Sequence, residues 1–380
     1  MRIVHVTDVY LPRLGGIEMH VHDLAVRQRR DGHDVHVVTA TAPGSGPGAE
    51  PDPPWLHRVA NPAVTVPRQL GLGPQVGALL ASADAVHAHV SVVSPFAFGA
   101  ARLAGSLGRP TLVTVHSLWT RLGPLPALGS RAAGLRSWPV LWSAVSDAAA
   151  EPVRRVLGPS VEVLVLPNAV DVAAWQVPGG APAVPTVVSV MRLARTKRPL
   201  PLARILRATR EEVPDHLPLR AVVVGDGPQR PGLERHLRRH DLDGWVELRG
   251  RLDRPAIREV LARSTVYLAP AELESFGIAA LEARAAGLPV VASSHGGVGT
   301  FITHGVDGLL GDSDDALVAH LVRLLTDEVT TARMTAHNRS VPPPFGWDAA
   351  CGRALAAYDL AAGRSRTRVA AAPARAAASS

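Results

Sequence analysis

The chain has 380 residues, 47% of them hydrophobic, and a formal net charge of +7 from 40 Lys plus Arg against 33 Asp plus Glu. That length exceeds what one hydrophobic core usually organises, so two domains of ordinary size are expected. The single cysteine, Cys351, excludes an internal disulfide framework and a structural zinc site built from cysteines, and such usage fits a reducing, cytoplasmic compartment.

In chain order, the start Met1 to Asp8 reads as a strand, not as the apolar core of a secretory signal. Short β-branched runs then alternate with amphipathic stretches: strand 3–7, helix 17–30, strands 34–39 and 85–88, helix 95–107, strands 111–115 and 141–145, helix 147–157, strand 162–166. Residues 42–54, rich in Pro and Gly, form a loop. Alternation of this kind specifies a parallel sheet covered on both faces. The Pro/Gly/Ala-rich segment 177–185 breaks the pattern as a hinge would. The alternation then restarts with strands 186–190, 220–224, 245–249, 265–269 and 289–293, separated by helices that include 201–213 and 276–286.

The expected fold class is therefore α/β, with two Rossmann-like doubly wound parallel-sheet domains, 1–176 and 177–340, whose carboxyl edges face a cleft. A last helix within 341–363 follows Val341-Pro-Pro-Pro-Phe345 and can cross back to the first domain. The tail 364–380, low in complexity and rich in Arg and Ala, is expected to be disordered. The most apolar stretches, 90–103 and 140–145, are broken by Pro, Ser and Arg and fall short of the ~20 residues that a membrane-spanning helix needs. Part of the positive charge lies in the tail, and no recognition helix, aromatic RNA-binding signature or dense basic block is present, so nucleic acid is not an expected partner.

Three segments carry chemistry. The loop after the first strand contains Gly15 and Gly16, whose backbone N–H groups can approach a phosphate or sugar at the positive end of the following helix. The Gly-x-Gly-x-x-Gly dinucleotide spacing is missing, and a tight turn alone would explain the pair. The second segment is Met191-Arg-Leu-Ala-Arg-Thr-Lys197, leaving the carboxyl end of strand 186–190. Arg192 and Lys197 there would neutralise a diphosphate and the charge that grows on it as a leaving group. Lys197 is the only lysine among the 40 basic residues; where a compact ammonium on a flexible stem is required, guanidinium is a poor substitute. Arg195 and Arg198 read as solvated neighbours.

The third segment runs from Tyr267 through Glu274, Ser275, Phe276, Gly277, Ile278 and Glu282 to Gly287 and Pro289. Ser275 reads as the N-cap of helix 276–286, so the amides of Gly277 and Ile278 form an anion site with the helix dipole. Carboxylates beside a phosphate site suit the ribose and hexose hydroxyls of a nucleotide sugar, with Glu274 placed for the sugar and Glu282 for the ribose. Gly287 and Pro289 stop the helix and start the next strand.

With these residues in place, the chain resembles the retaining glycosyltransferases of the GT-B fold that share a Glu, seven residues, Glu motif (glycosyltransferase family 4). Examples are the actinobacterial phosphatidylinositol mannosyltransferases and the inositol-phosphate N-acetylglucosaminyltransferases. The resemblance runs from about Arg2 to Tyr358 and includes Gly-Gly-Ile-Glu18, Gly32-His-Asp-Val-His-Val37, Ala85-Val-His-Ala-His89, His116, Pro167-Asn-Ala-Val-Asp171, Arg192 with Lys197, Val224-Gly-Asp-Gly-Pro228 and Glu274 to Pro289. It implies that the first domain binds the acceptor and the second the donor. Gly16 would approach the donor diphosphate and His116 the transferring sugar. Arg192 and Lys197 would bind the diphosphate, Glu274 with the amides of Phe276 and Gly277 the sugar hydroxyls, and Glu282 the ribose, with Arg251 in the loop 249–252 bordering the nucleobase.

Retention of configuration would follow a front-face route in which the leaving phosphate assists deprotonation of the acceptor, with no cofactor and no metal. The donor would be GDP-mannose or a UDP-sugar, carrying mannose, glucose or N-acetylglucosamine. The acceptor would be a lipid-linked sugar, an inositol phosphate or a polysaccharide. The alternatives are an inactive nucleotide-sugar binding module or another GT-B enzyme such as a phosphorylase or epimerase. Two positions depart from the family: Ala169 stands where a glycine is usual, and Thr300 follows Gly296-Gly297 where a glutamate is common. Trp119, Trp138 and Trp142 with Arg121, Arg131 and Arg136 suit peripheral contact with an anionic inner membrane face; the competing reading is that the tryptophans plug the core.

Overall fold

In the computed structural model, residues 1–13, 15–44, 51–59, 73–119, 134–177 and 182–376 are described, with side chains to Arg366. The β-branched runs pair into two all-parallel sheets. β1 (Arg2–Thr7), β2 (Asp34–Thr39), β3 (Leu56–Arg58), β4 (Ala85–Val90), β5 (Thr111–Val115), β6 (Leu141–Ala144) and β7 (Val163–Val165) form the first, in the order β3-β2-β1-β4-β5-β6-β7. The second contains β8 (Thr186–Val190), β9 (Arg220–Val224), β10 (Val246–Gly250), β11 (Val266–Ala269), β12 (Val290–Ser293) and β13 (Gly308–Gly311), in the order β10-β9-β8-β11-β12-β13. Both orders reverse at one point, between β1 and β4 and between β8 and β11. In doubly wound sheets that is where ligands bind, beyond the carboxyl ends of the strands.

Parallel strands covered on both faces become continuous apolar runs. Val187, Val188, Ala221, Val223, Val266, Leu268, Val290 and Val291 accordingly lose nearly all their solvent exposure. Two short strands lacked that signal. β3 is a three-residue edge strand, half buried. β13 reads Gly-Leu-Leu-Gly, and its Gly308 is dictated by packing, since a Cβ there would lie 2.1 Å from the Val290 carbonyl oxygen.

The chain divides into one unit of Met1–Asn168 with Trp347–Ser380 and another of Ala169–Gly346. The last helix, Trp347–Ala376, therefore belongs with the first sheet. Its Ala354, Ala357, Tyr358 and Ala361, spaced for one helical face, join a core with Ile3, Val35, Val37, Ala85, Leu112 and Leu141. Small side chains let the helix lie close to the sheet. The helix runs on as far as Ala376. The division between units falls at Asn168/Ala169, ahead of the 177–185 segment expected to be the hinge. Its residues 178–181 lie outside the described ones.

The tryptophans are largely consumed by the core. Trp142 and Trp119 are buried, and Phe98 contacts Trp119, Trp138 and Trp142 at centroid distances of 6.2–6.4 Å. Arg136 donates to the Val156 carbonyl, and Arg121 and Arg131 lie outside the described residues. Among the described residues, no helix is long and apolar enough to cross a membrane.

Candidate active site

In the second unit, the ends of the neighbouring strands β8 and β11 bring together two residues 77 positions apart. Lys197 Nζ donates to Glu274 Oε2 at 2.5 Å, with side-chain exposures of 31% and 19%. The pair is reachable by a ligand yet half removed from water, a setting in which charge interactions outweigh those of a solvated surface pair.

Backbone contacts without room for side chains fix both partners. The Arg192 loop is bolted to the loop after β9: Met191 N donates to Val224 O, Leu193 N to Asp226 O and Gln229 N to Leu193 O. A Cβ on Gly225 would sit 1.8 Å from the Met191 carbonyl oxygen, and one on Gly227 2.6 Å from that of Leu193. Both glycines have positive φ, so Val224-Gly-Asp-Gly-Pro228 is a cradle for this loop. On the other side, Gly297 N donates to the Glu274 carbonyl at 2.6 Å, and a Cβ on Gly297 would lie 2.1 Å from Ser275 O. The glycine pair 296–297 thus seats the backbone of Glu274.

Arg198, read from sequence as a solvated neighbour, is structural. It adopts φ +58, grips Asp314 with both nitrogens at 2.8 and 3.1 Å, donates to Pro270 O at 3.0 Å and pairs with Glu272. It ties the Lys197 turn to the segment that leads into Glu274. Tyr267 is a second residue the motifs did not single out. Its hydroxyl donates to Val190 O at 2.9 Å, and burial, with smaller contributions from Glu274 and Glu282, pushes its pKa up.

The helix after Glu274 corrects one expectation. It spans Ile278–Ala285, and its N-cap is Gly277 at φ +96 with no side-chain cap, not Ser275. Gly277 is required there because a Cβ would meet Val298 Cγ2 at 2.8 Å, and a left-handed glycine turns the chain into the helix without a hydroxyl cap. The open amides at that helix start are consequently those from Ile278 onward. Phe276 is buried against Phe301 and Phe345, at 5.3 and 5.9 Å, and anchors the turn. Glu282 is half buried on the same helix, Arg192 is exposed on its loop, and Arg251 is exposed beyond the edge strand β10.

The remaining candidates lie in the first unit. Gly15 is the N-cap and Gly16 the first residue of helix Gly16–Arg30. A Cβ on Gly15 would meet Glu18 Oε2 at 2.4 Å: the Glu18 carboxylate folds back over the helix start, where it also pairs with Arg13 at 3.1 Å. A carboxylate at the third helical position suits that positive end. At the switch between β1 and β4, Asp8 accepts from the amides of Phe96 and Ala97 at 3.1 and 3.0 Å. Burial raises its pKa, against these hydrogen bonds.

His116, after β5, is buried beside four other histidines, His5, His20, His87 and His89. Burial lowers the pKa of all five, to about 4 for His5 and His20 and well below the usual histidine range for the others, so each ring is neutral near pH 7. His5 of β1 and the alternating His87 and His89 of β4 carried no sequence signal for this cluster beyond their position on adjacent strands.

The family model described as Glycosyltransferase Family 4 matches residues 14–174, and that described as Glycosyl transferases group 1 matches 178–341. The chain is 28% identical over 399 residues to the GDP-mannose-dependent alpha-mannosyltransferase of Mycolicibacterium smegmatis, covering 97% of this chain and 100% of that one. It is 27% identical over 387 residues to the glycogen synthase of Mycobacterium tuberculosis, covering 91% of this chain and 92% of that one. Among solved structures it resembles Anabaena HepE in complex with UDP-glucose, with a TM-score of 0.73 at 19% identity over 94% of this chain and 99% of that one.

Proposed function

Because the chain belongs to the glycosyltransferases that join a Family 4 domain to a group 1 domain, and has the GT-B fold, we propose that it is a metal-independent retaining hexosyltransferase. Its donor is a nucleoside-diphosphate sugar, GDP-mannose or a UDP-sugar, and its acceptor a hydroxyl of a lipid-linked, inositol-phosphate or polysaccharide substrate. The observation that carries the reading is the Lys197–Glu274 pair at the switch point of the second sheet.

In this reading the donor diphosphate takes over Lys197 as partner, with Arg192 supplying a second positive charge from the same loop. Glu274, released from the ammonium, accepts hydrogen bonds from sugar hydroxyls, and Glu282 accepts from the ribose. The amides from Ile278 onward add partial positive charge. The bond from the anomeric carbon to the leaving phosphate oxygen breaks, the bond to the acceptor oxygen forms on the same face, and the acceptor proton passes to the departing phosphate. Two fixed cations supply the charge stabilisation that a divalent ion supplies elsewhere. GDP-mannose ranks first among donors, in keeping with the name of the M. smegmatis relative.

A thermal-shift panel of GDP, UDP and their sugars, followed by transfer assays in excess chelator with the product anomer read by NMR, tests the proposal. Stabilisation by one nucleotide series and an α-linked product are expected. Tight donor binding with no transfer to any acceptor class would instead mark a binding module, and strict dependence on a divalent ion would refute the mechanism.

A further inference from the structure

The helix Ile278–Ala285 has little of its own to fix its rotation. Four of its eight residues are alanine, and Glu282 and Arg284 are its only polar side chains. Short side chains interdigitate weakly with a neighbouring surface. Arg284 supplies the missing grip: Nη2 donates to Asp307 Oδ1 at 2.9 Å, with side-chain exposures of 6% and 4%. Asp307 is itself held from three sides. Its Oδ2 accepts from Thr303 N at 2.8 Å, its Oδ1 lies 3.1 Å from His337 Nε2, and its carbonyl oxygen accepts from Asn338 Nδ2 at 2.9 Å. Asn338 Nδ2 also donates to the Leu288 carbonyl at 2.9 Å, just past the end of the helix. A Cβ on Gly287 would lie 2.7 Å from Arg339 Cγ, so the same turn is pressed against helix Glu328–Ser340.

Such a cluster is a costly way to fill a core. Arg284 Nε and Asn338 Oδ1 are buried without a hydrogen-bond partner, and replacing a buried ion pair by apolar side chains of similar volume is often neutral or stabilising. Packing alone does not call for it. What it supplies is direction. Successive residues of a helix stand about 100° apart, so Glu282 lies about 200° round the axis from Arg284. With Arg284 tied inward to Asp307, Glu282 is turned to the opposite side, where it is half buried. The amides that open the helix from Ile278 turn with it.

We propose that Arg284 and Asp307 are positioning residues that set the rotation of helix Ile278–Ala285, and with it the aim of Glu282 and of the helix-start amides at a nucleoside diphosphate. The inference rests on the reading that this helix faces the donor. The pair acts through Glu282 and Ile278 and has no ligand contact of its own. A helix already fixed in rotation spares the ligand the cost of ordering it, and that saving appears as affinity.

The test uses the full chain, with calorimetric titration of GDP and UDP beside donor KM, kcat and thermal melting. Arg284→Met alone strands the Asp307 charge in the core, so the double variant Arg284→Met/Asp307→Asn carries the test. It is expected to melt close to the wild type, to bind the preferred diphosphate about tenfold more weakly, and to raise donor KM by a similar factor with kcat little changed. Arg284 meets Asp307 through one nitrogen, so Arg284→Lys, which keeps the charge and a donor, should recover most of that affinity. Should the double variant not fold, Asp307→Asn alone, which keeps the shape and an acceptor for Thr303, should weaken binding in the same direction. A folded variant with wild-type Kd and KM, whatever its melting temperature, would show the pair to be structural only and overturn the proposal. Glu282→Gln separates this from the donor reading. Weakened binding there beside wild-type binding in the double variant overturns the positioning role alone. Wild-type binding in Glu282→Gln, or no binding of either diphosphate by the wild type, overturns the donor reading and this inference with it.

Discussion

Acid should dismantle the first unit well before ordinary carboxylates titrate. His5 and His20 are buried, and burial lowers their pKa values to about 4, against 6.5 in the unfolded chain. Between those values the unfolded state binds protons that the folded state refuses, so stability is complete above pH 6.5 and falls as pH drops toward 4. At about pH 5 each of the two contributes a loss of about 2 kcal/mol, together about 4 kcal/mol. His87, His89 and His116 are shifted the same way and add to it. Asp8, whose pKa is raised, works in the opposite direction. Against the roughly 5–15 kcal/mol that holds a domain folded, the loss is large. Calorimetry at constant ionic strength should show the melting transition of the first unit falling steeply from pH 6.5 to pH 5. His20→Phe, which keeps the stacking on Trp347 seen at 5.4 Å, should flatten that slope by nearly one proton. A melting temperature that stays level over this range would refute the buried, neutral histidine cluster.

Gly225→Ala forces a Cβ to within 1.8 Å of the Met191 oxygen at a positive φ, and should cost about 3 kcal/mol or more in urea unfolding while displacing the Arg192 loop; unchanged stability would show that the cradle yields freely. Arg198→Ala removes the fork on Asp314 and should lower stability by about 1–2 kcal/mol and raise donor KM; an unaltered KM would mean that Lys197 is held without it. The Cys351 thiol, buried and pushed up to about 11, should react slowly with iodoacetamide at pH 8 in the native protein and rapidly in urea; equal rates would contradict its burial.

Much of the fold was legible because its strands are buried on both faces: the β-branched runs at 34–39, 111–115, 186–190 and 220–224 coincide with β2, β5, β8 and β9. β13 was not, since the glycines that its close packing requires erase any strand signal. The site shows the same division. Lys197 stood out by composition and Glu274 by its motif, but nothing in their spacing said that they pair with each other across 77 residues. Ser275 resembled a helix cap because Ser commonly caps; the position of Gly277 against Val298 decided otherwise. The histidine cluster was illegible for a different reason: it is assembled from β1, β4, the end of β5 and the helix Gly16–Arg30, whose adjacency no linear pattern carries.

The central claim is that the Lys197–Glu274 pair at the β8–β11 switch point is the donor site of a metal-independent transferase. Release of nucleoside diphosphate from its preferred sugar donor, measured in excess chelator for the wild type and for Lys197→Ala, tests it most directly. The wild type should turn over undiminished by the chelator, and the variant should lose at least ~2 kcal/mol of transition-state stabilisation, a rate loss of about thirtyfold. Equal rates in the two proteins would contradict the account.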